Sequence, residues 1–354
     1  MDVLTVPFDP ERATREEWRR FHAYRRLRSR ETEPDDPINE DRTTEKATSR
    51  PDPQWIEFRL AVLDPEHPEV QIGEVDMEIA RPGAPSYESN RHIAWTWIHL
   101  LRAYRGRGLG TRLLPKLAEF AREHRQTILH GWCEEPAGKA FAEFVGARVT
   151  QHRRENRLRF ENVDWSMVEK WAADGPARNP DTELRWFVGR IDDDVIEAYC
   201  KTYTQAMNQQ PFGKEEHGEY VFTPDTFRDR EKRYAVLGLT WTTAATIERN
   251  GEVSGLTETG WHPDRPTFLS QMLTGVHTSH RGRGLGKWVK AVMLLRVRRE
   301  FPQVRVVVTG NASSNAAMLS INERLGFRTH KEPVVVEMKS EELERFVAGR
   351  TTTA

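Results

Sequence analysis

The sequence predicts an α+β protein made of two copies of one domain, and three observations lead there. The hexapeptide Arg-Gly-Arg-Gly-Leu-Gly occurs twice, at Arg105–Gly110 and at Arg281–Gly286. Each copy lies between an apolar, strand-like run and a helix-like one, and the copies are separated by about one domain length. Each half reads as antiparallel hairpins followed by a strand–turn–helix unit, not as a plain alternation of strand and helix. The 354 residues suffice for two domains, each with its own core.

In the first half, Thr14–Arg30 carries Trp18, Phe21 and Leu27 at helical spacing. Glu31–Glu45 is acidic and proline-bearing and reads as a mobile loop. Trp55–Leu63 and Val70–Ile79 form a hairpin around the turn-rich Asp64–Pro68, and Arg91–Leu101 is a third strand running into the first hexapeptide. Thr111–His124 is a helix, with Leu113, Leu114, Leu117, Phe120 and Ala121 on one face. A strand Thr127–Cys133, a helix Ala137–Val145, a closing strand Arg153–Phe160 and a tail helix Trp165–Ala173 follow.

The second half repeats this order: strand Arg185–Gly189, helix Val195–Met207, a loop Asn208–Tyr220 and a helix near Pro224–Tyr234. Ala235–Glu248 and Glu252–Thr259 pair around Asn250-Gly251, a dipeptide that accepts the positive φ of a tight turn. Thr267–Val276 enters the second hexapeptide, and Lys287–Glu300 is a helix with Trp288, Val292 and Leu295 on one face. Val304–Thr309 is a buried strand, Ser313–Leu325 a helix, Pro333–Met338 a strand and Glu341–Ala348 a tail helix. The break between halves falls in the Gly/Pro-rich Gly175–Pro180, which predicts domains 1–176 and 177–354.

Composition narrows the function classes. Lys+Arg 53 against Asp+Glu 54 nearly cancel, so nothing draws the whole chain to nucleic acid or an anionic membrane. No apolar run approaches the roughly 20 residues of a membrane span, and Met1–Pro10 lacks a signal-peptide pattern. Cys133 and Cys200 show neither a pairing signature nor metal-ligand spacing. The expectation is a soluble cytoplasmic protein that uses no metal.

The hexapeptide carries the chemistry. Its glycines let the backbone turn tightly and bring successive N–H groups toward an anion. The following helix adds the positive end of its dipole, and the arginines add charge-assisted hydrogen bonds. A pyrophosphate is the natural ligand. A Rossmann fingerprint would need Gly-x-Gly-x-x-Gly, and a P-loop would need Gly-Lys-Ser/Thr; neither copy has these.

Arg-x-x-Gly-x-Gly between a strand and a helix resembles the acyl-CoA pyrophosphate loop of the GNAT N-acetyltransferase superfamily. In the second half the likeness extends to Leu273–Val276 before the loop and to Asn311–Phe327 after it, which is similar to the family's second CoA-contacting segment. The two-copy layout resembles actinobacterial tandem GNAT proteins, including the mycothiol synthase type. The resemblance implies two tandem GNAT-like domains, each a mixed, mostly antiparallel twisted sheet flanked by helices. It implies acetyl-CoA as co-substrate and a small-molecule amine as acceptor, in a monomer with an internal pseudo-dimer. The amides of Gly282, Gly284, Leu285 and Gly286, with Arg281 and Arg283, would hold the pyrophosphate. Val276 would offer its amide to the thioester carbonyl, and Asn311 and Asn315 would bind the pantetheine arm between splayed strands. Arg105, Gly106, Gly108 and Gly110 form the corresponding loop of the first half.

The sequence also departs from the family. Many members place a Tyr, as the acid that protonates the departing thiolate, where this chain has Asn322. Asn322 can hydrogen-bond the sulfur without being an acid. In the first half Glu135 stands where Asn315 does and Ala142 where Asn322 does, so that half reads as a degenerate acyl-CoA site. Glu258 is the leading candidate for the general base, with Asp76 its first-half counterpart. Met207–Gly213 with Glu215, Glu216 and Glu219 is a candidate acceptor loop. A non-catalytic CoA-binding sensor or scaffold is the alternative to an enzyme with chemistry in the second half.

Overall fold

The computed structural model of the protein describes residues 3–50 and 52–351. The first elements are β1 (Leu4–Pro7), α1 (Arg15–Thr32), α2 (Asp41–Thr48), β2 (Trp55–Leu63), β3 (Gln71–Ala80), α3 (Tyr87–Asn90), β4 (Ile93–Leu100), α4 (Leu109–Glu123), β5 (Ile128–Cys133) and α5 (Pro136–Val145). Next come β6 (Arg148–Arg159), α6 (Trp165–Arg178), β7 (Glu183–Val188), α7 (Ile196–Asn208), α8 (Pro224–Leu237), β8 (Thr240–Ile247), β9 (Val253–Trp261) and β10 (Phe268–Val276). The chain closes with α9 (Leu285–Glu300), β11 (Val306–Ala312), α10 (Ala316–Leu325), β12 (Arg328–Lys331), β13 (Val334–Lys339) and α11 (Ser340–Thr351).

Two compact units result, and they do not divide at 176/177. The first takes the described residues up to Gln151, the segment Lys214–Gly218 and those from Val334 onward; the second takes His152–Gly213 and Glu219–Pro333. The closing strands are exchanged in membership. β13, from the end of the chain, pairs antiparallel with β5 over Val334–Lys339 in the first unit. β6, from the first half, pairs with β11 over Arg153–Arg159 in the second. Repeat periodicity cannot reveal this, because a strand keeps the same pattern whichever sheet receives it.

In the first unit the strand order is β1-β2-β3-β4-β5-β13, antiparallel except for the parallel pair β4 and β5. One sheet face packs Val75, Met77, Ile79, Ala94 and Leu129 against Leu113, Leu114, Leu117, Phe120 and Ala121 of α4. That is the predicted apolar stripe. Helix α1 starts in a capping box, the Thr14 hydroxyl accepting from the Glu17 amide while the Glu17 carboxylate accepts from that of Thr14. The segment expected to be a loop, Glu31–Glu45, instead leads into α2. This helix buries no residue; charge holds it, through Arg25 and Arg26 to Asp41 and His22 to Glu45.

In the second unit the order is β6-β11-β10-β9-β8-β7, with β12 beside β6. Helices α7 and α8 cover one face through Tyr199, Tyr203 and Phe227 against Trp241, Ala245 and Leu256. Helices α6 and α9 cover the other with Val168, Trp171, Met293, Leu294 and Val297. The buried stripe of α9 therefore runs through Trp288, Met293, Leu294 and Val297, while Val292 and Leu295 are only half-buried. The expected linker is not one, since α6 continues to Arg178. Gly175 is buried there, and a Cβ on it would stand 2.1 Å from the Trp288 ring. This glycine permits close approach of α6 to α9 instead of marking a chain break.

Candidate active site

Between β10 and β11 the parallel ladder holds for only three pairs, Phe268↔Val306, Leu269↔Val307 and Ser270↔Val308, and then stops. β11 continues along β6 as far as Ala312 and β10 continues along β9 as far as Val276, so the two strands part. A register shift in β10 between Gln271 and Thr274 accompanies the parting. Two residues there, Met272 and Leu273, face Glu258 alone, which makes a β-bulge. The Gln271 amide stitches it by donating to the Glu258 carbonyl at 2.7 Å and to Thr257 Oγ1 at 3.0 Å.

Val276 lies past the bulge, opposite Gly255. The next amide, His277 N–H, donates to the Ser254 carbonyl at 2.9 Å. Antiparallel ladders alternate, so the Val276 N–H points away from β9, to the side that β11 has left open. The loop follows. Gly282 and Gly284 have φ of 81° and 83°, conformations that strain any residue with a Cβ. Helix α9 begins at Leu285 with no side chain capping it, so the first-turn amides of Leu285 and Gly286 face an anion position at the end of the gap.

The two loop arginines have different fates. Among the described residues the Arg281 guanidinium reaches only Gln209, at the end of α7, and stays at the mouth of the loop. Arg283 turns inward, to Asn179 Oδ1 at 2.9 Å, Thr182 Oγ1 at 2.7 Å and Glu248 at 3.0 Å. It braces the loop, and the expectation that it holds pyrophosphate is corrected, since its donors are spent. His280 Nδ1 also accepts from Arg283 at 2.8 Å, so its Nε2 carries the proton and donates to Glu252 at 3.0 Å. That hydrogen bond is the main cause holding the Glu252 carboxyl below its usual range. Glu252, His277 and His280 gather ligand-type atoms within 4.8 Å, but the Arg283 donor fixes them as a hydrogen-bonded clamp beside the loop.

On the far side of the gap, Asn315 caps α10, accepting from the Met318 amide at 3.3 Å. Asn311 lies on β11 beyond the last parallel pair, and its Oδ1 accepts from Asn322 Nδ2 at 2.9 Å. Asn322 is 1% exposed, and its Oδ1 accepts from Lys290 Nζ at 2.7 Å. Lys290 was missed by sequence reasoning. A signal existed: it falls four residues after Gly286 and four before Leu294, on the buried side of α9.

Glu258 requires a correction. It is completely buried, its Oε1 accepting from the Tyr199 hydroxyl at 2.8 Å and its Oε2 from Arg230 at 2.9 Å. The Arg230 guanidinium sits among the rings of Tyr203, Phe227, Tyr234 and Trp241 at 5.2–5.4 Å. Burial first, then the neighbouring Glu258 charge, pushes the Tyr199 hydroxyl well above its ordinary range. Completely buried and with its two oxygens engaged by a phenol and an arginine, this carboxylate has no open face for a substrate amine. In the candidate acceptor loop, Phe212 stacks on Tyr220 at 6.1 Å. Glu215 and Glu216 belong instead to the first unit, where the Glu216 amide donates to Glu337 and its carboxylate meets His92 at 3.0 Å.

The first unit repeats the frame. β4 and β5 pair in parallel from Ile93↔Ile128 to Thr96↔Gly131 and then part. Gly106 and Gly108 have φ of 73° and 76°, and α4 likewise starts uncapped. Leu100 matches Val276, since the next amide, that of Leu101, donates back to Ile72. Three things differ. β4 has no bulge against β3. Arg105 donates Nε to the Leu100 carbonyl at 2.8 Å and pairs with Glu135 at 2.8 Å. Arg102 joins the same carboxylate at 2.9 Å. The Arg105–Glu135 bridge thus runs from the end of β4 to the start of α5, across the mouth of the gap. Gly110 closes against Phe141, whose ring would stand 3.3 Å from an added Cβ.

Comparison with known proteins matches this geometry. Residues 18–144 match the family described as "Acetyltransferase (GNAT) family". A mycothiol acetyltransferase of Streptomyces avermitilis is 25% identical over 244 residues, 67% of this chain and 69% of that protein. Among solved structures, a tandem GNAT protein from the clavulanic acid biosynthesis pathway superposes with a TM-score of 0.76 at 21% identity, over 96% of this chain and 99% of that one. A GCN5-related N-acetyltransferase from Sphaerobacter thermophilus gives 0.61 at 15% identity, over 96% of each chain. The chain has the tandem GNAT fold, and its residues 18–144 are similar to the GNAT acetyltransferase family.

Proposed function

We propose that the chain is an acetyl-CoA-dependent N-acetyltransferase that moves an acetyl group to a primary amine of a small molecule, with the chemistry in the second unit. The observation that carries this reading is the bulged, open gap between β10 and β11, continuous with an uncapped, glycine-turned helix start. Arg281 and the amides of Gly282, Gly284, Leu285 and Gly286 hold the pyrophosphate, while Asn311 and Asn315 line the arm. The thioester carbonyl lies against the Val276 N–H, which strengthens its hydrogen bond as the amine attacks and charge develops on oxygen. Collapse breaks the C–S bond, with the electron pair leaving on sulfur. A thiolate leaves without a strong acid, since a thiol has a reference pKa near 8.5. The amine proton passes to water, and Glu258 keeps the Tyr199–Arg230 cluster in place behind the bulge. The first unit keeps the backbone cradle of Arg105, Gly106, Gly108 and Gly110 with its mouth bridged, and we assign it weaker CoA binding without turnover.

Titration calorimetry with acetyl-CoA, followed by a panel of amines read by free thiol, tests the reading. The relative's name places amines related to mycothiol on that panel. One tight equivalent of acetyl-CoA and thiol release with an acceptor are expected. Binding with no thiol release from any amine would favour a CoA-binding sensor or scaffold instead.

A further inference from the structure

Lys290 is the largest buried charge-bearing side chain near the gap that the acetyl-transfer reading leaves without a task. It is 1% exposed in the middle of α9. Its Nζ donates to Asn322 Oδ1 at 2.7 Å, lies 4.0 Å from Met318 Sδ and sits 5.4 Å from the centre of the Phe327 ring. Burying an ammonium with one strong acceptor is costly, so this contact does more than fill space.

What it does is decide which way Asn322 faces. An ammonium only donates, so the oxygen of the Asn322 amide must point to Lys290 and its nitrogen to Asn311. The nitrogen gives one N–H to Asn311 Oδ1 at 2.9 Å and has a second to offer. Turned the other way, the amide would present oxygen lone pairs to the departing sulfur and repel it.

We infer that Lys290 is a positioning residue for the leaving group: through Asn322 it aims and polarises an amide N–H that hydrogen-bonds the CoA thiolate as the C–S bond breaks. This rests on the acetyl-transfer reading of the second unit. The electron pair of the broken bond stays on sulfur, the N–H steadies it, and the thiolate later takes a proton from water. Lys290 itself transfers no proton.

The charge state of Lys290 supports the assignment, because burial alone lowers its pKa to about 7. The side chains that face it, Met318, Asn322 and Phe327, do not ionise in the working range, nor does Asn311 behind Asn322. Other charged groups on elements packed against α9 are engaged elsewhere: Glu169 with Arg298, Asp174 with Lys170 and Arg178, and Glu258 with Arg230. β8 and β10 carry none.

The test follows the pH dependence of acetyl transfer, read as free thiol, in the full-length wild type, Lys290→Met and Lys290→Gln. Gly284→Glu serves as the control for CoA seated in the second unit. Below about pH 7, where Lys290 keeps its charge, Lys290→Gln is expected to fall between wild type and Lys290→Met in rate. For acetyl transfer, Lys290→Met should lower kcat by about 10- to 100-fold with the KM for acetyl-CoA unchanged, a loss confined to the transition state. The wild-type advantage should shrink as pH rises through about 7, as Lys290 loses its charge. A wild-type kcat in Lys290→Met, or a kcat ratio independent of pH, would overturn the inference. Full CoA binding by Gly284→Glu would instead overturn the site reading on which it stands.

Discussion

The two units share one frame, and they differ at the mouth of the gap and behind it. In the second unit the gap is flanked by a bulge, by amides and by Arg281 turned to its rim, while the carboxylate behind the sheet, Glu258, is sealed against Arg230. In the first unit Arg105 and Arg102 close on Glu135, while the matching carboxylate, Asp76, is half-buried and meets Arg59 at 3.1 Å. Burial, with the neighbouring Glu74 charge second, raises the Asp76 carboxyl to about 8. A conserved loop motif is therefore not a conserved site. At the N-cap of the helix after the gap the first unit has a carboxylate, Glu135, that holds the loop arginine Arg105, where the second unit has the amide of Asn315.

The comparison can be broken first at the carboxylates. Glu258→Gln strands Arg230 in a sealed cluster and should cost about 3–5 kcal/mol of stability, read by urea denaturation. Asp76→Asn should cost less than about 1 kcal/mol near neutral pH, because it imitates a carboxyl the fold already keeps protonated and its partner Arg59 is partly exposed. The folded pKa of Asp76 lies above the unfolded value of ~3.9. Its contribution is therefore full below that value and fades as pH rises through about 8. Asp76→Asn should gain on wild type across that window, and equal losses at both positions would erase the contrast.

The mouth comes next. Glu135→Asn frees Arg102 and Arg105 and removes a negative charge from a phosphate path, so acetyl-CoA affinity at the first unit should rise about tenfold, roughly 1.4 kcal/mol. The converse Asn315→Glu should weaken the second unit by a similar factor. Calorimetric stoichiometry separates the two sites, and no change in either variant would remove Glu135 as the cause. A separate effect concerns Lys290, whose folded pKa is lowered to about 7. The unfolded chain there binds more protons between about 7 and ~10.4, so stability should climb with pH over that range. Lys290→Met should flatten that climb in a series of Tm measurements.

Much of this was legible in the sequence. The twin hexapeptide and the order of elements gave the α+β tandem fold, and the apolar stripe of Leu113–Ala121 placed α4 on its sheet. Glu135 stood out at the position of Asn315, and both prove to be N-cap positions. Other features depended on contacts between distant segments. Gly175-Pro176 has the composition of a linker, yet Gly175 is there to admit Trp288. Glu258 has the spacing of a base, but only the approach of Tyr199 and Arg230 from α7 and α8 shows it sealed. The exchange of β6 and β13 left no periodic trace.

The central claim, that acetyl transfer runs in the second unit, is tested most directly by one matched pair of loop variants, Gly284→Glu and Gly108→Glu. Both glycines have positive φ at the same turn, so backbone strain is equal and only the site differs. Single-turnover thiol release from acetyl-CoA with an acceptor amine should fall at least 100-fold in Gly284→Glu and less than threefold in Gly108→Glu. The reverse order, or equal losses, would contradict the account and move the chemistry to the first unit or to both.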